Sequence, residues 1–287
     1  QKTDLSRVSG GEYTEGIAGQ PIFINPVLSG NNDPDRDIIK LVFSDIVALS
    51  DNYKVSGNGK IWNIRLKDNI FWHDGQNITS DDVIFTIKAI QDSDSRSPFF
   101  PMWQGIEAER VSEREIKITL PEPYAFFETT LKELRPIPKH IFEPVPVVNF
   151  RLSDYNLEPI GSGPFKFFAI QKERSGFISE EQLARNENYF GQKPYLEKII
   201  FKFYQNEDDL IDAFNSGAIS GFGGLSQKNL SKINIGHQIF KLRMPRYYTV
   251  FFNTYNSLAL KVKNVRLALN YATDKKAIID KVFGGEA

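Results

Sequence analysis

The sequence predicts an α/β fold, with helices and strands interleaved along the chain. Two observations carry that reading. Apolar residues recur at helical spacing behind cap residues in some segments and alternate with period two in others. A third observation fits it: 23 Phe, 11 Tyr and 3 Trp suit either a large β-rich core or a cleft lined with rings. At 287 residues the chain exceeds the usual length of one domain, which points to two compact units or one large irregular one.

The elements follow in order. Residues 11–18 read as an opening strand, and Pro21 and Pro26 bracket a turn. Asp33-Pro34 starts a helix, Asp33 as N-cap and proline at the first helical position, and Ile38, Val42, Ile46 and Leu49 carry it to about residue 49. Trp62, Ile64 and Leu66 alternate with Asn63, Arg65 and Lys67, as in a half-buried strand. Phe71-Trp72-His73-Asp74-Gly75 then enters a turn, because Asp-Gly supplies left-handed backbone. Thr79 with Asp82 three residues on forms a capping-box pattern ahead of Val83, Ile84, Ile87 and Ile90, so a helix starts there.

Residues 105–111 and 115–120 predict a hairpin around the charged loop 112–114. Prolines 121, 123, 136, 138, 144 and 146 restrict the next stretch to short helices and extended connectors, with a subdomain border at 145–160. Strands are expected over 165–170 and 199–203. Asn206 caps a helix carrying Leu210, Ile211 and Phe214, and Gly217 closes it. Two late strands, 238–243 and 247–253, precede a helical segment over 265–283 that is interrupted near Thr273-Asp274.

Composition excludes several classes. Thirty-five basic and 36 acidic residues leave a net charge of −1, which offers no footprint for nucleic acid and no polybasic membrane patch. The absence of cysteine removes disulfides, thiolate metal sites and cysteine nucleophiles. No run approaches the roughly 18 apolar residues of a membrane span, and no leader pattern precedes Gln1, so an export signal is expected to have been removed or never to have existed. His73, His140 and His237 lack helical metal-ligand spacing, so no metal is expected, and no cofactor either. Gly161-Ser162-Gly163 and Gly221-Phe222-Gly223-Gly224 fit neither phosphate-binding pattern, and G-x-S-x-G is missing. Asp81-Asp82 and Asp208-Asp209 each fall in the first turn of an expected helix, where the helix dipole favours negative charge. That explains them without a glycosidase pair.

What remains is a binder's signature of aromatics beside glycines, where backbone and rings can approach a ligand: Phe222 with Gly223 and Gly224, and Tyr247 with Tyr248. The same residues equally suit a hinge or a core.

Four segments together resemble the bacterial family 5 solute-binding proteins, which include the oligopeptide-, dipeptide- and nickel-binding proteins of ABC importers. The most specific runs from Trp62 to Leu66 and on through Phe71-Trp72-His73-Asp74-Gly75, Thr79 and Asp82-Val83. The second is Pro159-Ile160-Gly161-Ser162-Gly163-Pro164-Phe165 with Arg185-Asn186 and Tyr189, where Ser162 stands for the family's threonine. The third spans residues 210–220, where Ser220 replaces the family's aspartate and weakens a ligand role there. The fourth is Phe252-Asn253 with residues 264–275, similar to V-R-x-A-L-x-Y-A-x-D-R.

The resemblance implies a periplasmic-binding-protein-like lobe with a mixed β-sheet and an inserted α+β subdomain. It assigns residues 1–50 plus 155–255 to the first-lobe core, 51–154 to the insertion, and 256–287 to the hinge and the start of a second lobe. It further implies that the chain is truncated, that two lobes close on a solute by hinge motion, and that no bond is made or broken. The expected ligand is a peptide, the expected partners are permease subunits, and the expected place is outside the cytoplasmic membrane, through a lipid anchor upstream of Gln1. Gly30, Asn31, Asn32, Phe222, Gly223, Tyr247 and Tyr248 are the implied ligand contacts. Binding of nickel complexes or oligosaccharides, a sensory role, and a glycoside hydrolase are the alternatives.

Overall fold

The computed structural model describes residues 8–240, 248–283 and 285. The chain divides after Gly223 into two compact units, of which the first holds both β-sheets.

β1 (Glu12–Ala18) leads through the proline turn into α1 (Asp33–Val42) and α2 (Ile46–Leu49). The helix expected over 33–49 is thus two helices, and Asn32 rather than Asp33 is the N-cap. The break has a definite cause. The Val42 carbonyl accepts from the N–H groups of Ser162 at 3.0 Å and Gly163 at 2.7 Å, and Ser44 N–H donates to Ser162 Oγ at 3.1 Å. The incoming segment takes the carbonyl that would have continued the ladder. Asp45 then recaps α2 by accepting from Ala48 N–H at 2.9 Å. Only glycine permits this approach on either side of Ser162: a Cβ at 161 would lie 2.0 Å from the Val42 oxygen, and one at 163 would lie 2.3 Å from the Leu41 oxygen.

β2 (Ser50–Ser56), β3 (Ile61–Leu66), β4 (Glu107–Ser112) and β5 (Glu115–Thr119) form an antiparallel sheet in the order β2-β3-β5-β4. α3 (Ser80–Gln91) and α4 (Phe100–Trp103) lie between β3 and β4 in sequence, and α5 (Phe127–Glu133) and α6 (Lys139–Phe142) follow. Phe127 meets Trp62 and Trp103 edge-on, with ring centroids 5.3 and 5.9 Å apart, and anchors the core of this sheet. Asp82 is buried and pinned: its carboxylate accepts from Thr79 N–H at 2.8 Å and from Lys139 N–H at 2.9 Å. The helix start foreseen at Thr79 therefore also fastens the proline-rich connector to α3.

β6 (Phe165–Lys172), β7 (Ile178–Arg185), β8 (Lys198–Tyr204) and β9 (Gly221–Phe222) join β1 in a mixed sheet of order β6-β7-β8-β1-β9. β7 runs antiparallel to both β6 and β8, whereas β1 is parallel to both its neighbours. α7 (Glu207–Asn215) connects β8 to β9, and Asn206 Oδ1 caps it by accepting from Asp209 N–H at 2.9 Å.

The second unit contains a 3-10 segment at Gln227–Lys232, then α8 (Leu258–Lys261), α9 (Lys263–Ala272) and α10 (Lys275–Phe283). The helical interruption at Thr273-Asp274 stands where the sequence places it. The two late strands do not: residues 238–240 and 248–253 are irregular, and 241–247 lie outside the described residues. Alternation makes a strand only when a neighbour supplies a ladder, and none of the described residues pairs with these. Among the described residues, no helix is long and apolar enough to cross a membrane.

Candidate functional site

β1 is the pivot of the candidate site. It pairs with β8 over seven residues on one side, and with β9 on the other only through Glu15↔Gly221 and Gly16↔Phe222. The β8-α7-β9 connection passes across β1, so the three parallel strands end together. Ligands of α/β folds bind in the crevice outside such carboxyl ends. Beyond Gly16, Ala18 is exposed and continues into Gly19-Gln20-Pro21.

Two groups of the implied contact residues flank this strand end. Phe222 lies on β9 against Phe214, with centroids 5.1 Å apart, and Gly223 follows with open space around it. On the other flank, Asn32 Nδ2 donates to the Gln20 carbonyl at 3.1 Å, beside Gly30 and the exposed Asn31. Gly16, paired with Phe222, and Gln20, bonded to Asn32, are four residues apart, which limits their Cα separation to about 14 Å. Tyr248 belongs to the second unit and is largely exposed, and Tyr247 lies outside the described residues.

The 30–32 loop hangs from a buried carboxylate. Asp35 accepts from Ile22 N–H at 2.7 Å and Phe23 N–H at 3.1 Å, and the Asn32 side chain also hydrogen-bonds to it. Burial pushes the Asp35 carboxyl above its ordinary range, partly offset by those three donors. Sequence reasoning passed over Asp35, although its place three residues after Asn32 mirrors the spacing noticed at Thr79 and Asp82.

Tyr13 and Glu15 were also missed. Tyr13 Oη donates to Glu15 Oε2 at 2.6 Å on the strand edge next to β9. A Cβ at Gly221 would sit 2.3 Å from that hydroxyl, so glycine lets the ring lie over β9. Burial raises both groups, the tyrosine well above its usual value. A Tyr-x-Glu pair on one strand face was the available signal.

Two of the family-like motifs, those at residues 71–75 and 159–165, are tied together as scaffold. His73 Nδ1 accepts from Gly161 N–H at 3.1 Å, which assigns the proton to Nε2, and Nε2 donates to the Gly163 carbonyl at 3.1 Å. The Asn186 side chain donates to the same carbonyl at 3.0 Å. Burial pushes His73 down to about 4, so the ring is neutral near pH 7. One knot thus gathers the His-Asp-Gly, Gly-Ser-Gly and Arg-Asn segments behind the end of α1. Asp74 extends it to α6 through His140 Nε2 at 2.7 Å. Among the described residues, no group of three or more His, Asp or Glu could hold a metal ion.

A family model described as "Bacterial extracellular solute-binding proteins, family 5 Middle" matches residues 46–287. The chain is 27% identical to the oligopeptide-binding protein AppA of Bacillus subtilis, covering 96% of this chain and 52% of that protein. It is 26% identical to the nickel-binding periplasmic protein of Escherichia coli, covering 84% and 46%. The crystal structure of the ABC transporter substrate-binding protein CtaP from Listeria monocytogenes superposes with a TM-score of 0.74 at 31% identity, covering 95% of this chain and 56% of that one. This likeness bears out the periplasmic-binding-protein-like fold with its mixed sheet. The chain spans about half the length of the curated relatives it matches. With the model matching residues 46–287 and the sheet order described above, the chain belongs to the bacterial extracellular solute-binding proteins of family 5.

Proposed function

We propose that this chain forms part of the solute-binding component of an ABC importer, taking up an extended peptide at the carboxyl ends of β1, β8 and β9 and handing it to permease subunits. The observation that carries the reading is the open edge of β1 beyond Gly16, flanked by Phe222-Gly223 and by the 30–32 loop. Main-chain groups at a strand edge hold an extended chain by added-strand hydrogen bonding, with loose selectivity for side chains. Gly30, Asn31, Asn32, Phe222 and Gly223 supply that surface from the first unit. Tyr247 and Tyr248 stay in the proposal on the family resemblance alone. These groups bind and orient, and none is arranged to make or break a bond.

The assignment of residues 1–50 plus 155–255 to the lobe core, with 51–154 inserted and 256–287 leading into a second lobe, belongs to the same proposal. It is supported by β2, β3, β4 and β5 pairing, among the described residues, only with one another. The protein works on the outer side of the cytoplasmic membrane, as family 5 extracellular solute-binding proteins do.

A nickel complex is the second reading, favoured by the relationship to a nickel-binding protein. Thermal unfolding of the full-length protein, with a mixed pool of tri- to pentapeptides or with nickel-histidine, separates the two. A ligand at a hundred times its Kd stabilises the native state by about 2.7 kcal/mol. A rise in Tm with peptides alone supports the first reading, a rise with nickel-histidine alone replaces it with the second, and no rise with either overturns both.

A further inference from the structure

Gln20 stands where four parts of the fold meet. Gly19, just before it, donates its N–H to the carbonyl of Tyr204, the last residue of β8, at 2.8 Å. Gln20 then offers two oxygens to two different partners. Its main-chain carbonyl accepts from Asn32 Nδ2 at 3.1 Å, in the 30–32 loop. Its side-chain Oε1 accepts from the N–H of Ile178, the first residue of β7, at 2.7 Å and 158 positions away in sequence. The β6–β7 ladder shifts register beside that residue, between Gln171 and Lys172, and Ile178 is buried. After Gln20 come the buried Pro21 and then Ile22 and Phe23, whose N–H groups go to Asp35 on α1.

We propose that Gln20 is a positioning residue of the binding site: its side chain anchors the 20–23 turn to β7, and its carbonyl, held in place by that anchor, orients Asn32 and the 30–32 loop. The coupling between the two oxygens is steric. A residue that precedes proline is confined to extended backbone, so the Gln20 carbonyl has little freedom of its own once the side chain is fixed. Asn32 uses its amide on Gln20 and also hydrogen-bonds to Asp35, which clamps the loop to the turn. Gln20 extends this local clamp to the sheet. A ligand that meets the 30–32 loop then finds it already ordered, and the entropy of ordering is not lost on binding. Glutamine suits the position because it places an acceptor at the right reach. Asparagine is one methylene shorter, and an apolar side chain leaves the Ile178 N–H unpaired. The effect on affinity rests on the peptide-site reading above, whereas the tie between β7 and the loop does not.

The test uses the full-length protein with the mixed pool of tri- to pentapeptides, and follows the Ile178 amide and the Asn32 side-chain amide by NMR. Gln20→Met keeps the length and removes the oxygen. It is expected to shift both amide signals and to weaken peptide affinity about tenfold, while Gln20→Glu, which keeps an acceptor oxygen, restores both. In an Asn32→Ala background the same Gln20→Met change is expected to cost about twofold at most, because the group it positions is gone. Gln20→Asn replaces the Met variant if that protein misfolds. An Asn32 side-chain signal that ignores Gln20→Met overturns the proposal, and so does an affinity loss of equal size with and without Asn32. If the peptide pool does not bind the wild type, the peptide reading fails, and the response of the Asn32 amide still decides whether Gln20 positions the loop.

Discussion

His73 and Gly161 hold each other by two reciprocal bonds, His73 N–H to the Gly161 carbonyl at 2.8 Å and Gly161 N–H to His73 Nδ1 at 3.1 Å. A third runs from Nε2 to the Gly163 carbonyl. Replacing His73 by Ala leaves the buried Gly161 N–H unpaired and opens a cavity, so stability falls by about 2–4 kcal/mol. Chemical denaturation at pH 7 measures it.

The same histidine sets a pH slope. Its folded value, lowered to about 4 by burial, lies below the unfolded value of 6.5. The unfolded chain therefore binds the extra proton, and the stabilisation is complete above about pH 6.5 and lost as pH falls towards 4. Full titration amounts to roughly 3 kcal/mol. Glu15, Asp35 and Glu181, all raised by burial, contribute the opposite slope. Comparing urea melts of wild type and His73→Asn at about pH 7 and about pH 5 isolates the histidine, because the acids are common to both. An unchanged difference between the two proteins across that range would refute the assignment.

Glu181→Leu is expected to stabilise. It removes two buried oxygens that have no partner among the described residues and adds apolar contact, worth about 1–4 kcal/mol. Glu181 contributes stability below its unfolded value near 4.5 that is lost as pH rises through the higher folded value. The gain in Tm from the substitution should thus be larger at about pH 9 than at about pH 5. A destabilised Leu variant at both values would mean that a donor satisfies the carboxyl after all.

Ser162→Ala is expected to cost about 1–3 kcal/mol, because the buried Ser44 N–H loses Ser162 Oγ. Gly163→Ala should be far worse, since its Cβ meets backbone oxygen rather than a movable side chain. Soluble yield and near-UV circular dichroism report both, and a well-folded Gly163→Ala protein would disprove the account of the α1 break.

Gly221→Ala should displace the Tyr13 ring, because the new methyl would fall 2.3 Å from its hydroxyl. The loss is expected at about 1–2 kcal/mol and should shrink when Tyr13→Ala removes the obstacle. A double-mutant cycle measures the coupling, and strict additivity would argue against contact.

Much of the local structure was legible. Thr79 with Asp82, the alternation from Ile61 to Leu66, Asn206 ahead of α7, and the interruption at Thr273-Asp274 are short-range signals whose physics lies within a few residues. β2 was not legible, because its Asp51, Asn52, Lys54, Val55 and Ser56 are exposed and carry no alternation. β7 was missed for the opposite reason: Glu181 occupies a core position that a pattern reader expects to be apolar. At the site, the sequence and its family resemblance singled out the 30–32 loop and Phe222-Gly223. They gave no sign of Asp35 or the Tyr13–Glu15 pair, whose importance depends on neighbours distant in sequence.

By itself the sequence determined most of the helices, several of the strands and the family they compose, because caps, turns and periodicity act between residues a few positions apart. Only the tertiary structure decided that β1 lies between β8 and β9 and that residues 161–163 end α1 at Val42. Those arrangements pair groups more than a hundred residues apart. Backbone register, desolvation and the supply of hydrogen-bond donors at such places exist only once the chain has closed on itself.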